Sequence, residues 1–173
     1  MWNPYPRKSL TLIIGVTGDT HNNLKNIKKI CSIFKENRAD LVFHTGDISL
    51  PKSLFAFKDL NCPIKVVLGN NDVEEKTGLL EISKQFACEI FEEPYSTILL
   101  GKKICILHHP DLISDEMTIN NEFILHGHTH RYRLDKINGC TIFNPGECAG
   151  MMEMKNKVGL INLEKNQIKT ISF

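Results

Sequence analysis

A chain of 173 residues with 42% hydrophobic and 24% charged residues has the size and balance of one globular domain with its own core. A formal net charge of +1 excludes the long-range positive field that nonspecific nucleic-acid binders use. Apolar runs of strand length set aside a membrane span. Prolines and charges in residues 1–8, where a signal peptide needs an apolar core, point to a cytoplasmic protein.

The first apolar run, Leu12 to Val16, reads as a strand leading into Gly18-Asp19-Thr20-His21. From Asn23 to Phe34 the apolar positions Leu24, Ile27, Ile30, Cys31 and Phe34 recur at helical spacing, with Asn22 or Asn23 as cap. Leu41 to Phe43 follows as a strand before Gly46-Asp47, and this strand, helix, strand unit predicts parallel pairing with a right-handed crossover. A second crossover, Pro51 to Leu60, leads into Ile64 to Leu68 and then Gly69-Asn70-Asn71-Asp72. Leu79, Leu80, Ile82, Ser83 and Phe86 predict a third helix.

Beyond it the chain turns β-rich. Tyr95 to Leu100 and Ile104 to Leu107 flank Gly101-Lys102, Leu134 to Ile137 and Thr141 to Phe143 flank Asn138-Gly139, and Val158 to Leu163 and Ile168 to Phe173 flank Lys165-Asn166. These are hairpin patterns. His108 ends one of the strands, and Phe123 to Leu125 precedes Gly127-His128-Thr129-His130. A parallel half followed by an antiparallel half establishes α/β, without choosing between two packed sheets and one mixed sheet.

The chemistry sits just past the strand ends, where open α/β sheets carry their polar loops. Two Asp, one Asn and four His supply oxygen and nitrogen donors for a two-metal site of manganese, iron, zinc or nickel type, whereas magnesium is disfavoured by so many imidazoles. Each dipeptide alone is an ordinary turn, so Asp19 and Asp47 as turn formers among scattered histidines is the alternative. The joint order is what carries the reading. Structural zinc is set aside because such sites favour cysteine thiolates, and none of the six cysteines is closely paired. They read as reduced thiols, with Cys31 and Cys105 as small buried hydrophobes and Cys148 as a bystander.

The order and spacing of these motifs, with Asn144-Pro145-Gly146 after the last, resemble the calcineurin-like metallophosphoesterases. The likeness is greater to the small single-domain phosphodiesterases of bacteria and archaea, which share a fold with the retromer scaffold subunit. The resemblance spans residues 10–173 as a single domain and leaves 1–9 as an N-terminal extension. It implies a four-layer αββα sandwich of two mixed sheets flanked by helices. It also implies a first ion held by Asp19, His21 and His130, a second by Asn70, His108 and His128, and Asp47 bridging the two. The ions would be two divalent metals, manganese first, with nickel, iron, zinc or magnesium as alternatives. A metal-bridging hydroxide would attack a small phosphodiester in line, with no phosphoenzyme. A scaffold on the same fold and a nuclease using the same site are the competing readings, and homo-oligomerisation stays open.

Asn71 departs from the wider superfamily, where a histidine often follows the metal-binding Asn and is thought to protonate the leaving group. Asparagine can donate a hydrogen bond to phosphate but cannot supply a proton. Asp72 reads as a support for its loop or a ligand orienter, so Asp47, Asn71 and Asp72 form the catalytic set. His44 and His109 are left as rescuing acids or orienters, with a backbone-bonded half-buried ring preferred for His44. The alternative register, with His109 rather than His108 as the ligand, stays open. Asn144 and Gly146 read as site wall, and Asp111, Asp115 and Glu116 as an acidic rim favouring small substrates or as a solvated face.

Overall fold

The computed structural model describes residues 11–151 and 156–173, so the expected extension at 1–9 lies outside the described residues. One sheet has the order β11-β10-β1-β2-β3-β4, the other β5-β6-β7-β9-β8. In the first, β1 (Ile13–Thr17), β2 (Leu41–His44), β3 (Ile64–Val67) and β4 (Cys88–Phe91) run parallel. The hairpin of β10 (Lys157–Asn162) and β11 (Gln167–Ser172) joins them antiparallel through β1. In the second, β6 (Lys102–Ile106), β7 (Phe123–Leu125) and β9 (Cys140–Asn144) are parallel, with β5 (Tyr95–Leu99) and β8 (Arg133–Ile137) as antiparallel edges.

Strand periodicity sorts the side chains into three apolar layers. Val42, Ile64 and Val66 face helix α1 (Leu24–Glu36), the short α2 (Pro51–Phe55) and α3 (Lys76–Ser83) through Ile27, Ile30, Phe34, Leu54 and Leu79. Their neighbours Leu41, Phe43 and Val67 point the other way, meeting Ile104, Ile106, Phe123, Leu125 and Phe143 between the sheets. Cys105, Leu107, Ile124, Cys140 and Ile142 form a third layer beneath Ile113 and Met117, the latter on α4 (Asp115–Asn120). The result is the four-layer αββα sandwich.

Two features go beyond the sequence reading. The last hairpin does not extend the antiparallel half but completes the parallel sheet. Phe143 of the second sheet lies so close over Gly159 of β10 that an added Cβ would stand 2.3 Å from its ring. Helix α4 is short and polar, with Ser114 capping it by accepting from the Met117 N–H at 3.2 Å.

Parallel strands deliver their loops to one edge, and the loops of both sheets are stitched together there. The Asp19 N–H donates to the Gly46 carbonyl at 3.0 Å, His21 N–H to Asp47 at 2.8 Å, Cys148 N–H to Asp19 at 3.2 Å and Gly127 N–H to His108 at 3.2 Å.

Candidate metal centre

The loop after β2 is held by one buried carboxylate. Asp72 Oδ2 accepts from the N–H groups of Asp47 (2.9 Å) and Gly69 (2.8 Å), and Oδ1 from those of Ile48 (2.8 Å) and Ser49 (2.7 Å). Burial pushes its carboxyl up against those bonds. Asp72 therefore faces backbone. Its neighbour Asn71 donates to Asp47 twice, from N–H at 2.9 Å and from Nδ2 at 2.7 Å. Gly69 is required between them, since a Cβ there would lie 2.3 Å from Asp47 Oδ1.

Around Asp47 the expected donors fall into two groups. Asp19, His21 and His130 bring donor atoms within 4.8 Å of one another. His21 Nδ1 bonds Ser49 Oγ at 3.2 Å and His130 Nδ1 bonds Glu147 Oε2 at 3.3 Å, so each ring offers Nε2 to the cleft. Asp19 Oδ2 and His21 Nε2 are buried and have no hydrogen-bond partner. Such orphaned atoms cost about 1–3 kcal/mol each unless something else satisfies them.

On the other side Asn70 Oδ1 lies 3.0 Å from His108 Nε2 and 3.1 Å from His128 Nδ1, which are 3.2 Å from each other. His108 Nδ1 is bonded to the Thr45 carbonyl at 2.8 Å. In the neutral ring the Nε2 lone pair thus confronts the lone pairs of an amide oxygen, an arrangement a cation resolves. Both groups fit a divalent metal, with imidazole, carboxylate and amide donors of borderline-hard character. Asp47 Oδ2 reaches each group, 3.9 Å from His21 Nε2 and 3.5 Å from His108 Nε2.

Electrostatics separates the two aspartates. Burial pushes Asp19 up to about 6, against the pull of His108 and His130. Burial acts on Asp47 too, but the hydrogen bond and charge of His108 in its protonated form, with the donors of Asn71, outweigh it and hold the carboxyl well below the usual range. Burial would lower His108, and Asp47 beside it reverses the direction.

The backbone is strained where the donors sit. Asp19, His21, Asp47, Ser49, His128 and His130 all have φ between 43° and 74°. Non-glycine residues rarely adopt this left-handed region, and clusters of them mark functional sites.

The remaining histidines differ in kind. His44 is fully buried, accepting from Gly46 N–H at 3.2 Å through Nδ1 and donating to Thr20 Oγ1 at 2.9 Å through Nε2. Burial holds it neutral, with its pKa lowered to about 3. His126, unweighed in the sequence, is buried with Nδ1 near the Gly127 carbonyl and Nε2 unpartnered. His109 packs against His128 and bonds Glu93. Glu93 and Glu147 carry no sequence signal of their own: a carboxylate beside proline or glycine has no spacing signature, although Glu147 directly follows Asn144-Pro145-Gly146. Asn144 donates to the Gly127 carbonyl at 3.2 Å, bracing the loop that carries His128 and His130. Cys148 turns its thiol to Thr17 Oγ1 at 3.3 Å and the Lys157 carbonyl at 3.1 Å.

Known proteins resemble this chain in sequence and fold. The model of the calcineurin-like phosphoesterase superfamily domain matches residues 12–166. A phosphodiesterase of Methanocaldococcus jannaschii is 30% identical over 164 residues, covering 91% of this chain and 97% of that protein. The solved structure of an archaeal phosphodiesterase superposes with a TM-score of 0.81 at 29% identity, over 94% of this chain and all of the other. At fold level only, Vps29 of Chaetomium thermophilum matches with a TM-score of 0.69 at 14% identity, over 96% of each chain. The chain belongs to the calcineurin-like phosphoesterase superfamily, as a metal-dependent hydrolase of phosphoesters.

Proposed function

We propose that the protein is a phosphodiesterase acting on small phosphodiesters with two divalent ions, manganese first among the candidates. The position of Asp47 carries this reading: one carboxylate oxygen lies within 3.9 Å of a histidine from each donor group. Asp19, His21 and His130 would hold one ion, Asn70, His108 and His128 the other, and Asp47 would bridge. Two bound ions supply Lewis-acid stabilisation of phosphate charge and acidify water.

The chain's own groups set the rest. Ser49, Glu147 and the Thr45 carbonyl fix which nitrogen each imidazole presents. Asn71 spends its amide on Asp47 and has no proton to give a leaving alcohol. Aryl esters with acidic leaving groups should therefore be cleaved much faster than alkyl esters. Exposed Asp111, Asp115 and Glu116 follow His109 along the chain and favour a small substrate over a polyanion. Six free cysteines accord with a cytoplasmic setting. Among the described residues, no helix is long and apolar enough to cross a membrane.

The test is hydrolysis of an activated aryl phosphodiester and its monoester by metal-stripped protein resupplied with manganese, nickel, zinc or magnesium. Metal-dependent turnover with the diester preferred is expected. No turnover with any metal, despite confirmed binding, would overturn the reading in favour of a binding role for this fold.

A further inference from the structure

Three imidazoles, rather than two, gather on the Asn70 side of the centre. Ring centroids lie 4.7 Å apart for His108 and His109, 4.5 Å for His109 and His128, and 5.0 Å for His108 and His128. One nitrogen from each falls within 4.8 Å of the others, a grouping able to hold an ion.

The third ring is held in place. Two residues past β4, Glu93 Oε2 accepts from the N–H groups of His108 at 2.5 Å and His109 at 2.9 Å, while Oε1 bonds His109 Nδ1. One carboxylate thus fixes both the backbone and the ring of His109, and leaves Nε2 as the nitrogen it can offer. A carboxylate on the far nitrogen is the usual companion of a metal-bound histidine, fixing its tautomer and strengthening it as a donor.

Resting on the metal-centre reading above, we propose that His109, oriented by Glu93, is a further ligand on the Asn70 side, so that the second ion takes three imidazoles with Asn70 and Asp47. The chemistry favours it there. Apart from shared Asp47, that side has no carboxylate among its donors, and another neutral imidazole adds a donor without lowering the positive charge available to phosphate. Three nitrogens also select nickel, zinc, iron or manganese over magnesium, which prefers oxygen ligands.

The experiment is calorimetric titration of metal-stripped protein with cobalt, zinc and magnesium, with visible and paramagnetic proton spectra of the cobalt form. Wild type, H109Q and E93Q are compared, with thermal unfolding of the metal-free forms as the folding control. H109Q should weaken one zinc equivalent at least about tenfold, leave the other and magnesium unchanged, and alter the cobalt spectrum. E93Q should weaken the same equivalent within the roughly 10–100-fold range of outer-shell changes. Cobalt-loaded wild type should show a hyperfine-shifted imidazole N–H that H109Q lacks. This reading of wild type holds even if E93Q fails to fold.

Wild-type affinity and an unchanged cobalt spectrum in H109Q overturn the proposal, even if its diester turnover falls, because His109 would then touch substrate instead. Two ions bound with His109 dependence but no turnover would sink the phosphodiesterase reading and leave this one standing.

Discussion

The two sides of the metal centre solve the same problem with different means. The Asp19 side has its own carboxylate, buried enough to be pushed up to about 6, and its rings are aimed by two side chains, Ser49 and Glu147. The Asn70 side packs neutral donors 3.0 to 3.2 Å apart and aims His108 with a backbone carbonyl. The contrast lies in the charge each side brings of its own: the first adds a carboxylate to shared Asp47, while the second adds only an amide and imidazoles, among them His108, whose proton Asp47 holds more tightly.

The substitution that removes the contrast altogether is D47A, since both sides lean on that carboxylate. It should reduce diester turnover by about 10³-fold or more, beyond the 10–100-fold of outer-shell losses, with neither ion held at wild-type affinity by calorimetry. D72A leaves four loop N–H groups unpartnered, which should cost about 3 kcal/mol or more in denaturant unfolding. Retained stability would mean the loop has another anchor.

E147Q sharpens the comparison, because it disturbs the aim of His130, along with a bond from the Met151 N–H at 3.3 Å, on one side of the centre. It should weaken the first ion about 10–100-fold and spare the second. Equal weakening of both would break the two-sided picture.

A further effect concerns pH. His44 is held neutral with its pKa lowered to about 3, against an ordinary 6.5, so the unfolded chain binds a proton that the folded one refuses. Its contribution to stability is present above 6.5 and is lost as pH falls toward 3, by at most about 1.4 kcal/mol per pH unit. Asp19 acts oppositely between 3.8 and about 6, so the difference between wild type and H44Q isolates the histidine. Smallest of all, S49G relieves a φ of 74° but frees His21 Nδ1. It should raise metal-free stability by a few tenths to about 1 kcal/mol while loosening the first ion.

Much of this was legible because α/β sheets carry their polar loops just past strand ends, and short apolar runs before Gly-Asp, Gly-Asn or Gly-His show where those ends are. Less visible was the strand Cys88–Phe91, whose half-buried edge position gives no apolar run, although its loop carries Glu93. Helix Asp115–Asn120 was hidden by polarity despite the Ser114 cap. The sheet assignment of the last hairpin comes from pairing of β10 with β1, a contact between distant residues that no local pattern encodes. Glu147 acts through a fold-level encounter with His130.

One pairing has a consequence for biosynthesis. Strand β1 lies beside β10, with Ile13 opposite Asn162, so among the described strands β1 waits for one made about 150 residues later before its second edge is covered. Until then a nascent or stalled chain carries a bare, apolar ribbon of Ile13, Ile14 and Val16 able to template other chains. Chaperone demand during translation should therefore track the arrival of residues 157–162 rather than completion of the parallel strands.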